Sequence, residues 1–233
     1  RHVVGGQHHG VGIAAAIGVT PHQQEGVKAI LPVTGAGLLA VDAPVSGGTG
    51  GAIYVSGTLQ AQSIANVNGR IELTSVGGPV MVGTPGIFSD AGSPYTTGSI
   101  DVSGGIGETG GSVLISGNGV ILVNDDANPL GPTDPYSTGS TINATGREGG
   151  GSITISSTGS VLAMELTRLD ASGVVDGSGG TVDLLANGGS AVLYGDIGAL
   201  SGKVSGNGGR IRIGALDGIV QDLQALHGVG KEL

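Results

Sequence analysis

Few side chains in this sequence could do chemistry, and the most regularly placed are oxygen donors. Asp101, Asn143 and Asp170 each occupy the second position of a recurring phrase: Ile100-Asp101-Val102-Ser103-Gly104, Ile142-Asn143-Ala144-Thr145-Gly146 and Leu169-Asp170-Ala171-Ser172-Gly173. If the phrases stack on one another, these residues could form an acid and amide ladder that holds calcium through oxygen ligands. The same residue types also form turns, because a short Asx side chain accepts a hydrogen bond from nearby backbone. The chain lacks the Gly-Gly-x-Gly-x-Asp nonapeptide of calcium-loaded β-rolls, which favours the turn reading. Asp125, Asp126 and Asp134 make a second oxygen-rich group inside a Pro- and Gly-rich stretch that reads as a solvated loop.

Other chemistry has fewer parts to work with. His8 and His9 offer imidazole to zinc, copper or nickel, but adjacent histidines need a spaced third ligand, which His22 would supply only by folding back. Tyr95 and Tyr136 are the candidate sugar-stacking residues, or else they pack their own loops against the body of the protein. A carbohydrate-active β-helix enzyme, a lyase or hydrolase, is the competing function class. It needs paired carboxylates at a set separation beside aromatic platforms, and this chain has no Trp and one Phe. The many Gly-x-Gly matches sit in strand turns with no following helix, so they do not read as a dinucleotide or phosphate cradle. No catalytic or cofactor-binding residue is assigned, and the expectation is a protein that is not an enzyme.

Composition limits what can position these groups. Of 233 residues 50 are Gly and only 2% are aromatic, so the core must be built from Val, Ile, Leu and Ala. Charged residues make up 12% of the chain, too few for a charge-driven disordered segment. There is no Cys, which removes disulfides and zinc–thiolate sites. The net charge of -9, with scattered Arg, provides no basic stripe for a phosphate backbone and argues against nucleic acid as a partner. No uninterrupted apolar window approaches the roughly 20 residues of a membrane-crossing helix.

The organisation is repetitive. A Gly pair followed by an alternating strand recurs at Gly50-Gly51, Gly110-Gly111, Gly150-Gly151, Gly179-Gly180 and Gly208-Gly209, the last three pairs 29 residues apart. In Ser152-Ile153-Thr154-Ile155 and its counterparts, apolar and polar residues alternate with period two, which means strand with one inward face. A stack of such coils shares one narrow core, and the Gly pairs are expected at corners that need positive φ. A longer duplication, Pro94-Tyr95-Thr96-Thr97-Gly98-Ser99 against Pro135-Tyr136-Ser137-Thr138-Gly139-Ser140, is offset by 41 residues. The loops before these copies, 83–93 and 124–134, read as matching side excursions. The expected fold is all-β, a parallel β-helix or β-solenoid spanning 46–220. It is flanked by an irregular N-terminal segment, 1–45, that caps the first coil or donates a strand to a neighbouring copy. A C-terminal segment, 221–233, is expected to form a cap or tail.

The phrases Asp170-Ala171-Ser172-Gly173, Gly177-Ser178-Gly179-Gly180-Thr181-Val182-Asp183-Leu184 and Gly206-Asn207-Gly208-Gly209-Arg210-Ile211-Arg212-Ile213 resemble repeats of filamentous-haemagglutinin-like exoproteins. That resemblance, in repeat style over about residues 46 to 220, implies a right-handed parallel β-helix, export across a bacterial outer membrane and a role in attachment, biofilm or surface fibres. Together these readings give an expectation: a secreted, extracellular, non-enzymatic structural protein that self-associates head to tail as a filament subunit, or serves as an adhesin segment meeting glycans or cell surfaces.

Overall fold

The architecture was determined as a computed structural model, which describes residues 15–18, 38–43, 52–55, 57–61, 68–85, 95–125, 138–221 and 226–227. Three parallel sheets run side by side, and the chain visits each in turn. The first sheet holds β1 (Ala15–Gly18), β2 (Leu38–Ala43), β5 (Arg70–Ser75), β10 (Ser112–Gly117), β13 (Ser152–Ser157), β16 (Thr181–Ala186) and β19 (Arg210–Ala215). The second holds β3 (Ile53–Val55), β6 (Val80–Val82), β11 (Val120–Leu122), β14 (Val161–Ala163), β17 (Ser190–Leu193) and β20 (Gly218–Gln221). The third holds β4 (Gly57–Gln60), β9 (Gly98–Asp101), β12 (Thr141–Asn143), β15 (Arg168–Asp170), β18 (Asp196–Gly198) and β21 (Leu226–His227). Every strand therefore pairs with its equivalent one coil away, and the fold is an all-β parallel β-helix with no helix among the described residues.

Alternation explains the core. Ile71, Val113, Ile153 and Val182 stack in one inward row of the first sheet, and Leu73, Ile115, Ile155 and Leu184 in the next, all essentially without solvent exposure. Val80, Val120, Val161 and Ala191 do the same in the second sheet, and Ile100, Ile142, Leu169 and Ile197 in the third. Like lies over like, so the narrow interior is filled by branched aliphatics and has no place for a large ring. The outward positions of the first sheet are mostly polar, with Ser112, Ser152 and Thr181 in one row and Thr154 and Asp183 in another that also holds Leu114. Asp183 also receives Arg212 Nε at 3.2 Å from the next coil.

The coil length varies most at one corner. Between second and third sheets, the coil of β14 and β15 turns through only Met164–Thr167, with Leu166 at φ 65. In two earlier coils the chain leaves at this same corner, after β6 and after β11. The first departure forms an antiparallel hairpin of β7 (Thr84–Pro85) and β8 (Tyr95–Thr96), and the second starts with an antiparallel bridge of Asn124 to Gly139. The two excursions thus leave the solenoid at the same corner of consecutive coils, where their duplicated sequence places them. The ladder also extends beyond 46–220: β1 and β2 lie in register on β5, and β21 pairs with β18.

The Gly pairs have a different cause from the one expected. None of Gly110, Gly111, Gly150, Gly151, Gly179 and Gly180 has a positive φ. They sit where consecutive coils approach too closely for a side chain. A Cβ on Gly111 would fall on the Gly69 carbonyl oxygen, one on Gly151 on that of Gly111, and one on Gly180 on that of Gly151. The corner is closed by the second glycine of each pair, whose N–H donates across the turn from Gly111 to the Val102 carbonyl at 2.7 Å, from Gly151 to that of Ala144 at 2.8 Å and from Gly180 to that of Ala171 at 2.7 Å. Backbone carbonyls cannot move aside as a flexible side chain can. Gly180→Ala is therefore expected to lose about 2–3 kcal/mol, whereas Gly105→Ala, which meets nothing within 4 Å, stays within about 0.5 kcal/mol of the parent. Urea unfolding of both variants checks this, and equal losses at the two sites would contradict the close-approach explanation.

Candidate functional site

The third sheet brings the singled-out oxygen donors into one row. Its register aligns Gln60, Asp101, Asn143, Asp170 and Gly198 on successive coils. The placement follows from the strand ending. Each phrase carries an inward aliphatic, then the outward Asx, then a residue at the corner, so the Asx side chain stands beside the turn it begins.

The geometry of the row is that of a hydrogen-bonded ladder. Ser103 N–H donates to Asp101 Oδ1 at 3.0 Å, Thr145 N–H to Asn143 Oδ1 at 3.1 Å and Ser172 N–H to Asp170 Oδ1 at 2.9 Å, three Asx turns in the same place. Rungs join the coils. Gln60 Nε2 donates to Asp101 Oδ2 at 3.0 Å, and Asn143 Nδ2 to Asp101 Oδ1 at 3.2 Å. Asp170 is buried and its other oxygen accepts from Arg168 on its own strand at 2.6 Å. An amide thus separates the two carboxylates, and each carboxylate has both oxygens committed to protein donors. Among the described residues no group of three or more His, Asp and Glu could hold a metal ion. The row can fix three corners and set the coil register; its residues carry the turn role that the missing nonapeptide favours.

The other candidates fall elsewhere. Asp125 accepts from the Thr138 N–H and hydroxyl, both at 2.9 Å, and so ties the two sides of the second excursion together at its neck. Ser140 closes the base behind it: its hydroxyl donates to the Val82 carbonyl at 2.7 Å and accepts from Gly98 N–H at 3.1 Å, binding two coils at a fully buried point. Tyr95 lies in β8, paired with Pro85. His8, His9, His22, Asp126, Asp134 and Tyr136 lie outside the described residues.

Sequence reasoning missed Gln60 as a member of the row and Arg168 as a donor to it, since neither stands inside the repeated phrase as an Asx residue; Gln60 becomes a partner only through the register of β4 on β9. It also missed an outward feature of the second sheet. Tyr54, Met81, Ile121, Leu162, Val192 and Val220 are register neighbours on its outer side. The available signal was the run of three apolar residues, such as Val80-Met81-Val82 and Val120-Ile121-Leu122, where strict alternation would place a polar one in the middle.

Neither a scan against protein-family models nor a search of the curated proteins finds a match to this chain.

The ladder makes a charge-dependent prediction. Asn143→Asp keeps the acceptor for Thr145 N–H but removes the amide rung and places three carboxylates on adjacent strands. The variant is expected to lose roughly 1–2 kcal/mol at neutral pH. Crowded carboxylates bind protons more tightly in the folded than in the unfolded chain, so the loss is full above the carboxylate range and shrinks as pH falls through it. Thermal unfolding from pH 7 down to about pH 3 measures this; a loss that does not shrink in acid would mean the amide acts by shape alone.

Proposed function

We propose that this protein is a non-enzymatic extracellular structural protein, a β-solenoid subunit of a surface fibre or an adhesin segment, acting by rigid scaffolding and head-to-tail self-association. The observation that carries the reading is the state of the last coil. Ile211, Ile213 and Ala215 of β19 are in register with Val182, Leu184 and Ala186, yet they are only partly buried, while their counterparts are sealed. Ile219 continues the inward row of the second sheet above Ala191, and is 47% exposed where Ala191 is at 0%. Where the last described coil leaves its core row open, with strand edges of one polarity, the first coil of another copy can continue the stack, since a parallel ladder has distinct, mutually complementary ends.

The resemblance to filamentous-haemagglutinin-like exoproteins supports export and the surface setting. The outward Ser and Thr rows of the first sheet supply repeated weak hydrogen-bonding positions for glycans or cell surfaces, which gain strength when many coils present them at once.

Electron microscopy of the purified chain tests the reading. Filaments are expected, with an axial rise of about 34 Å per subunit if the seven strands of the first sheet, at the strand spacing of about 4.8 Å, continue from copy to copy. Ile219→Glu, which puts a charge on the exposed end, is expected to abolish long polymers while leaving the circular dichroism of the subunit unchanged. A chain that stays monomeric at every concentration would reject the filament form.

A further inference from the structure

We infer that the outer face of the second sheet is a lateral contact surface for a second copy of this chain, two rods packing face to face along the stripe Tyr54–Met81–Ile121–Leu162–Val192–Val220. The stripe is continuous by register through all six strands of that sheet, and its side chains are partly exposed, with Val220 the most open at 51%. In the flanking row stand Ala52, Pro79, Gly119, Ser160, Ser190 and Gly218, all small or uncharged. Among the described residues these two rows carry no charge at all.

The charged strand residues among those described are on the other two faces, and the nearest charges to the stripe, Glu165 and Asp217, stand in the corner turns that bound the second sheet. The outer side of the first sheet holds Arg70, Glu72, Asp183, Arg210 and Arg212, and the third sheet holds Asp101, Arg168, Asp170 and Asp196. A chain of net charge -9 repels its own copies wherever acidic residues meet, so the uncharged face is where two copies approach at least electrostatic penalty. An anionic lipid surface is a poor alternative occupant, since among the described residues no Lys or Arg flanks the stripe to hold it there. A straight row is also self-complementary: a two-fold axis lying in the contact plane and crossing the row at its centre lays the Ile121 of one copy on the Leu162 of the other, the isologous arrangement of a sheet-on-sheet contact.

Area sets the strength. Six strands at about 4.8 Å spacing give a stripe about 24 Å long, and with its flank about 13 Å wide, a footprint of about 300 Å². That falls well short of the roughly 800 Å² per partner of a stable interface. Single copies therefore pair transiently, and the contact becomes lasting only where many stripes are joined end to end. The lateral contact extends the self-association reading but does not require head-to-tail joining.

The absence of Cys makes the test clean, because one introduced thiol is unique. Leu162→Cys places it at the centre of the stripe, and Thr154→Cys places it on the outer first-sheet face of the same coil. With a bismaleimide of about 10 Å reach, matched to the separation of packed sheets, Leu162→Cys is expected to form covalent dimers at least tenfold faster than Thr154→Cys. Adding Ile121→Glu to Leu162→Cys should bring the rate down to that of the control. Equal rates for the two thiols, or no effect of Ile121→Glu, would overturn the inference. The two self-association claims separate in the same samples: monomers that cross-link through position 162 keep the lateral contact and remove the head-to-tail joint, and long filaments without that cross-link do the reverse.

Discussion

Parallel strands stacked at about 4.8 Å leave a fixed distance between one coil and the next, and every other feature of this protein is fitted to that distance. Where coils run as strands, the spacing is filled by hydrogen bonds and by rows of like aliphatics, as in Ile71, Val113, Ile153 and Val182. Where the chain must turn from the third sheet back to the first, the same spacing brings backbone against backbone, and only glycine fits at Gly111, Gly151 and Gly180. A composition with so much Gly would leave most chains unfolded through its entropy cost. Here the ladder offsets that cost, because each of these corner glycines removes a clash that would otherwise force consecutive coils apart.

The constraint decides what was legible beforehand. Period-two alternation and the 29-residue spacing of the last three Gly pairs are direct consequences of identical coils, so the fold could be read from 150 to 213 with little else. The excursions were legible because their duplicated Pro-Tyr phrases repeat at one corner. The reason for the Gly pairs was not, since a sequence shows which residue permits a conformation but not what lies across from it. The strands β1 and β2 were hidden for a related reason: they join the first sheet by register, through Ala15 on Leu39 and Leu39 on Ile71, without carrying the Gly-pair phrase. In the third-sheet row, Asp101, Asn143 and Asp170 could be seen to coincide, but whether they would face a cation or one another depended on Gln60, Arg168 and the turn N–H groups.

The three faces of the solenoid divide the protein's chemistry. The third sheet uses its polar groups internally, to hold corners, and so gives up its most reactive-looking residues to structure. The first sheet presents hydroxyls and a few charges to the outside, a surface suited to weak repeated contacts. The second presents an uncharged apolar stripe, and the last described coil leaves Ile219 of its inward row half exposed. Among the described residues the chemistry is spread over faces and ends, and that distribution is the basis for proposing a scaffold.

Fibre diffraction from aligned native material tests that account most directly, because it reports strand stacking and assembly together. Coils continued from one copy to the next predict an oriented reflection at about 4.8 Å along the fibre axis. The same spacing found as an unoriented ring, or perpendicular to the fibre axis, would mean that the rods do not join end to end, and would contradict the account.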